Sequence, residues 1–154
     1  MIIIGAKGFA KELLQVFEEN GEADDTLYFF DDVSSDIPEL LFNKFRIIRS
    51  ITELQELFLV QSKEFLLGIG GPLVRQAITN KIQSVGGILC SLISRTAFIG
   101  HYDVVFEEGL SIMQNVIIEN SVRICEGSLI HNNVMVSHDV YIGKFCEISP
   151  GAKL

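Results

Sequence analysis

The step from His138 to Asp139 is the pair in this chain best suited to moving a proton. An imidazole titrates near neutrality, so it can take a proton from an amine or hydroxyl as that group attacks. A carboxylate on its second ring nitrogen would fix the tautomer and stabilise the imidazolium. The same two residues also fit a solvated polar edge, and taken alone they leave both readings open. His101 and His131 are read as solvated surface histidines. A second set of residues suits an anion. Gly5, Ala6, Lys7 and Gly8 join an apolar run to a helix-like segment, and backbone N–H groups at a helix start attract phosphate. The turn lacks the GK[ST] ending of a P-loop and the full GxGxxG of a dinucleotide site. Asp31 and Asp32 follow the second apolar run, where a carboxylate accepts from a ribose or uracil, or merely ends a strand in water. Gly70 and Gly71 either let backbone approach a ligand or make a turn. Cys90, Cys125 and Cys146 are odd in number and lack a CxxC pair, which argues against a disulfide framework and a thiolate zinc site. They are read as small buried hydrophobes, and no metal is expected.

Two kinds of element must position these groups. From residue 1 to about 92, short apolar runs alternate with helix-length amphipathic stretches, the signature of βαβ units. Strands are expected over 1–4, 26–30, 45–48, 64–69 and 87–92. A helix is expected over 9–20, with Phe9, Leu13, Val16 and Phe17 inward. A second is capped by Thr52 and runs to about 59, and a third starts at Pro72 with Leu73, Ala77, Ile78 and Ile82 inward. Residues 1–92 thus read as a small Rossmann-like parallel sheet, with an irregular loop over about 33–44.

Over 93–154 the helical period gives way to a period of six. Ile112, Ile118, Ile124, Ile130, Val136, Ile142, Ile148 and Leu154 occupy one phase without exception. Four residues after each of the first seven comes a small or β-branched residue: Val116, Val122, Ser128, Val134, Val140, Cys146 or Ala152. Such a repeat builds a left-handed parallel β-helix of triangular section, in which residues three repeats apart stack at about 4.8 Å. Three columns are predicted: Ile112, Ile130 and Ile148; Ile118, Val136 and Leu154; Ile124 and Ile142. Ile99 and Val105 lead in, with a one-residue phase shift placed at 107–110. The expected fold is therefore an α/β Rossmann-like domain over 1–92 followed by a left-handed β-helix over 93–154. The β-helix is expected to be truncated within its third coil, with Leu154 not fixed by these residues as the natural end.

Bulk properties narrow the partners. With 12 basic and 20 acidic residues among 154 the net charge is −8, which opposes polyanions, so no nucleic acid is expected. No apolar stretch reaches the roughly 20 residues of a bilayer span, and residues 1–4 lack a basic flank, so no membrane and a cytoplasmic location are expected.

The segments IIIGAKGFAKEL from Met1, FFDD at 29–32, LGIGGPLVRQAI at 67–78 and VSHDVYIGKFCEISPGAKL from Val136 together resemble the bacterial sugar O- and N-acyltransferases. That family includes sialic acid O-acetyltransferases and UDP-amino-sugar N-acetyltransferases. The resemblance implies a nucleotide-sugar or sugar acceptor held through Gly5, Gly8, Asp31, Asp32 and Gly70, and acetyl-CoA bound between subunits of a homotrimer. It implies His138 as general base beside Asp139, and Glu147 and Gly151 at the donor. The chain departs from the pattern at several places. Phe9 and Ala10 replace a usual His-Gly, Ser94 and Arg95 a His-Pro, Ser137 a Glu, and Glu147 a second histidine. Family members continue beyond the GAxL motif with coils that carry much of the pantetheine groove, so self-association with poor acetyl-CoA binding is expected. The alternative is a shortened, non-catalytic nucleotide-sugar-binding or assembly protein. The identity of the sugar, its acylated atom and the donor's acyl chain are not fixed by these residues.

Overall fold

The protein is described from a computed structural model, over residues 1–22 and 26–154. The first unit runs β1 (Ile2–Ile4), α1 (Gly8–Glu19), β2 (Tyr28–Phe30), β3 (Leu40–Leu41), β4 (Phe45–Ile48), α2 (Ile51–Val60), β5 (Glu64–Leu67), α3 (Pro72–Ser84) and β6 (Ile88–Leu89). Its sheet has the order β3-β4-β2-β1-β5-β6, parallel except for β3 against β4. Alternation along the strands sends Ile3, Phe29, Ile47 and Leu66 to the side of α1, whose Leu13, Leu14, Val16 and Phe17 cover them. Ile2, Ile4, Phe30, Ile48, Phe65 and Leu67 face α2 and α3 through Leu54, Phe58 and Ile82. Both faces are covered, which is why these strands read as unbroken apolar runs. The chain winds outward from β1 through β2 to β4, then returns to β5 on the other side of β1. That reversal opens a crevice at the carboxyl ends of β1 and β5.

Several details differ from the expected elements. Ser50, not Thr52, caps α2: its side chain accepts from Glu53 N, as in the S-x-x-E pattern. The loop expected over 33–44 contains the edge strand β3, and the apolar run 87–92 is split between two structures. Ile88 and Leu89 end the first sheet, whereas Leu92 already pairs with Ser111 in the coil stack. On α3, Leu73 and Ala77 are exposed, and the inward face carries Arg75, Thr79 and Ile82. Period alone could not distinguish these faces, because the covering surface supplies polar acceptors.

The second unit has ten two-residue strands: β7 (Leu92–Ile93), β8 (Phe98–Ile99), β9 (Val105–Phe106), β10 (Ser111–Ile112), β11 (Ile117–Ile118), β12 (Arg123–Ile124), β13 (Leu129–Ile130), β14 (Met135–Val136), β15 (Tyr141–Ile142) and β16 (Glu147–Ile148). They form three parallel sheets, β16-β13-β10-β7, β14-β11-β8 and β15-β12-β9, the faces of a left-handed β-helix. The predicted columns stack in register: Ile112, Ile130 and Ile148; Ile118 and Val136; Ile124 and Ile142. Leu154 continues the second column, its backbone exchanging hydrogen bonds with Met135 and Ser137. The phase shift lies earlier than expected. Ile118 pairs with Ile99 and Ile124 with Phe106, so the extra residue falls within 100–105, and Phe106 rather than Val105 takes the inward position.

A corner recurs every six residues. Asp103, Gly109, Asn115, Ser121, Gly127, Asn133, Asp139, Phe145 and Gly151 all have φ between 52° and 76°. Glycine, asparagine and aspartate tolerate this left-handed conformation best, and seven of these nine corners carry one of them. The face built on β7, β10, β13 and β16 turns its outward column, Leu92, Ser111, Leu129 and Glu147, against the first unit. Arg75 on α3 spans the seam, fully buried. Its Nε donates to Gly127 O at 2.8 Å, and its Nη1 donates to Leu67 O at 3.0 Å and Ile69 O at 2.8 Å. Burial pulls its pKa down to about 10 while Glu147 opposes the shift, so the guanidinium stays charged at neutrality. At the end of α1, Asn20 donates to Ile93 O and accepts from Arg95 N.

Candidate acceptor cavity and proton-transfer site

The crevice beside β1 is a cavity of about 370 Å³. Gly5, Gly8, Asp31, Asp32 and Gly70, dispersed over 66 positions of sequence, all line it. Lys7, Phe9, Val33, Val74 and Ile78 add to its walls. The floor needs glycine: Gly5 has φ +97°, and a Cβ there would lie 2.6 Å from Ile69 Cγ2 and 2.8 Å from Gly68 O. The two acids behave differently. Asp31 Oδ1 accepts from Val33 N at 3.2 Å and Ser34 N at 2.9 Å, which shapes the loop after β2. Asp32 pairs with Lys81 Nζ at 2.5 Å. Lys7, a wall residue, turns its Nζ to Asp36 at 2.7 Å outside the cavity lining, and this bond holds the Asp36 carboxyl below its ordinary range. The cavity is thus an apolar slot with the start of α1 at its base and two carboxylates at its rim, Asp31 bound to its own loop and Asp32 ion-paired.

His138 lies elsewhere, one residue before the left-handed corner at Asp139. Its Nδ1 is 2.7 Å from Asp139 Oδ2, and its backbone N donates to Glu119 Oε2 at 3.1 Å. With Nδ1–H donating to Asp139, Nε2 is the free nitrogen and can receive a proton. The hydrogen bond that the ring donates to Asp139, with the charges of Asp139 and Glu119, raises the His138 pKa above its ordinary value. The ring borders a hollow of about 340 Å³ lined by Phe98, Gly100, His101, Tyr102, Glu119 and Asn120. This hollow and the glycine-floored cavity share no residue.

Glu119 and Asn120 were not singled out in the sequence; the six-residue repeat, which sets them about one coil before His138, is the signal that could have found them. His101 is exposed, as expected. His131 is not: its side chain is 15% exposed, its Nε2 sits 3.2 Å from Glu147 Oε1, and its ring meets Phe9 edge-on at 5.4 Å. The first unit covers this face of the β-helix, which sequence spacing does not reveal. Glu147 Oε2 accepts from Gly71 N at 2.6 Å, so both its oxygens are engaged within the chain. Gly151 is an exposed corner with no neighbour within 4 Å of a would-be Cβ. Cys125 is buried, whereas Cys90 and Cys146 are partly accessible.

An α/β sheet with a ligand crevice at its switch point, set on a left-handed β-helix that carries an exposed His-Asp pair, defines a class of two-unit hexapeptide-repeat proteins. Comparison with known proteins agrees. Residues 1–82 match the PglD N-terminal domain, and residues 121–154 match the bacterial transferase hexapeptide, six repeats. A histidine-to-alanine variant of GDP-perosamine N-acetyltransferase from Caulobacter crescentus, in complex with CoA and GDP-perosamine, superposes with a TM-score of 0.85 at 23% identity. The match covers 99% of this chain and 69% of that one. The acetyltransferase domain of PglB from Neisseria gonorrhoeae FA1090, in complex with acetyl coenzyme A, gives 0.83 at 24% identity, covering 99% and 71%. WeeI from Acinetobacter baumannii AYE gives 0.82 at 21%, covering 99% and 70%. The chain belongs to the PglD N-terminal-domain family, the bacterial sugar acyltransferases with hexapeptide repeats. No helix among the described residues is long and apolar enough to cross a membrane.

Proposed function

We propose that this chain transfers an acetyl group from acetyl-CoA to the amino group of a nucleotide-activated sugar. The observation that carries the reading is the His138–Asp139 pair, 2.7 Å apart, with the free imidazole nitrogen available beside an open hollow. His138 Nε2 takes the proton as the sugar amine attacks the thioester carbonyl, Asp139 stabilises the resulting imidazolium, and the coenzyme thiolate leaves. Gly8, at the start of α1, offers its backbone N–H to the acceptor's diphosphate. Gly5, its own N–H donated to Phe30 O, lets the ligand approach the backbone closely, and Asp31, Asp32 and Gly70 border the nucleoside. Gly151, an unobstructed corner, lies along the donor groove that the resemblance implies. Amine over hydroxyl rests on the N-acetyltransferases among the similar structures.

A homotrimer suits the geometry. The acceptor cavity is lined by the first unit alone and His138 stands on the prism with no lining residue in common, so in this reading a neighbouring copy supplies the base to each cavity. Phe98 and Ile117 on one uncovered face, with Val105 and Tyr141 on the other, leave apolar surface for such contacts. Three free cysteines fit the reducing cytoplasm. The rival reading, a non-catalytic nucleotide-sugar-binding or assembly protein, draws on Glu147, whose oxygens are both occupied within the chain.

The test is thiol release from acetyl-CoA with a panel of UDP- and GDP-amino sugars and sialic acids. Turnover is expected with a nucleotide amino sugar, and His138→Ala should reduce kcat by about 10²–10⁴-fold with the melting curve unchanged. A fall of less than tenfold removes His138 as the base, and absence of turnover alongside tight nucleotide-sugar binding favours the non-catalytic reading.

A further inference from the structure

The seam beneath the acceptor cavity holds a carboxylate that the proton-transfer step does not use. Helix α3 begins at Pro72 behind Gly71, which has φ +82° and no side chain to cap the helix. Glu147 reaches across from β16 and accepts the Gly71 N–H at 2.6 Å. This places a negative charge at the positive end of α3, where it is stabilising. Its other oxygen meets His131, whose ring packs edge-on against Phe9. Gly70, Val74 and Ile78 on one side and Phe9 on the other are walls of the cavity. A Cβ on Gly70 would lie 3.3 Å from both Glu147 oxygens, so the carboxylate is pressed against the turn that forms the wall. The bond from Gly71 N, with support from His131, lowers the Glu147 pKa and keeps the group ionised at neutrality.

We propose that Glu147, seated by His131, is a positioning residue for the nucleotide-sugar acceptor: it fixes the Gly70–Gly71 wall and the start of α3 and does not contact the acyl donor. The inference rests on the proposed acceptor site. Since β16 holds a wall of the cavity through Glu147, loss of the carboxylate should loosen acceptor binding while the chemistry at His138 proceeds on whatever binds.

The experiment measures UDP- and GDP-sugar binding and acetyl-CoA binding by calorimetry, with kcat and KM for both substrates, in the full chain and in Glu147→Ala and Glu147→Gln. The alanine variant should weaken acceptor Kd and KM by about tenfold, the scale of one hydrogen bond to a charged group. Its kcat and acetyl-CoA affinity should stay within about twofold. Glutamine keeps an oxygen for Gly71 N–H and should recover acceptor affinity to within about threefold. If the alanine chain does not fold, Glu147→Asp, one methylene too short, replaces it. A disrupted variant that binds acceptor like the parent overturns the proposal. So does one that loses acetyl-CoA instead, and so does a folded Glu147→Gln chain as weak as the alanine chain. A parent chain that binds no nucleotide sugar refutes the functional reading itself, whereas a parent that binds alongside an unaffected variant refutes only the positioning role.

Discussion

At the scale of single residues, the site is one histidine held by two carboxylates, Asp139 on its ring and Glu119 on its backbone N–H. Asp139 is bound to its position for two reasons at once: it takes a left-handed corner that favours aspartate, and its side chain reaches back to His138 Nδ1. The raised His138 pKa fixes the sign of the pH response. Only the neutral ring accepts a proton, so kcat/KM should fall on the acid side with a midpoint above the ordinary imidazole value. Asp139→Asn removes the larger cause of the shift, and that midpoint should move to lower pH with a reduced plateau. A pH profile of the parent and the variant checks this, and an unmoved or alkaline-shifted limb would contradict the assignment. The pair was legible as adjacent letters, and so was the chemistry of an imidazole beside a carboxylate. The second carboxylate, Glu119, was not, because it approaches from the coil below.

At the scale of elements, the six-residue period specified the columns of the β-helix, because each inward position must fill the same narrow prism. The corners are equally demanding, and they predict unequal responses to substitution. Gly127 sits at a corner with φ +69°, and a Cβ there would fall on the Phe145 ring stacked above it. Gly127→Ala should destabilise by roughly 2 kcal/mol or more, from backbone strain and overpacking together. At about 2–4 °C per kcal/mol the loss should be plain in a thermal melt. Asn133→Gly, at a corner of the same sign with φ 60°, should change little because glycine adopts that conformation freely. Equal melting temperatures for Gly127→Ala and the parent would show that the corner relaxes. The phase shift was misplaced in the sequence for a related reason. Val105 and Phe106 are both apolar, and only pairing with Ile124 shows which one points inward.

At the scale of the whole molecule, Arg75 fastens the two units. It satisfies carbonyls of the first sheet's exit, Leu67 and Ile69, and of a β-helix corner, Gly127. Arg75→Met preserves the aliphatic stem but strands three buried acceptors, so stability should fall by roughly 3 kcal/mol or more. Arg75→Lys should not rescue it, since an ammonium lacks the planar fork that serves both sides. Urea unfolding checks both variants, and a midpoint within error of the parent for Arg75→Met would mean that water replaces the guanidinium at the seam.

The sequence by itself determined the parallel α/β unit, the β-helix with its register from Ile112 onward, and the His-Asp pair. Each of these follows from local period, turn chemistry or adjacency, which depend on residues close in the chain. Tertiary structure alone decided that Gly5, Asp31 and Gly70 share one cavity, because the winding reverses between β1 and β5. It also decided that one face of the prism is covered. That covering turned Arg75 into a buried cation and His131 into a seam residue, and it gave Glu147 two partners inside the chain. These outcomes depend on which surfaces meet across more than 50 residues of sequence, and a polar residue carries no local mark of the acceptor that will cover it.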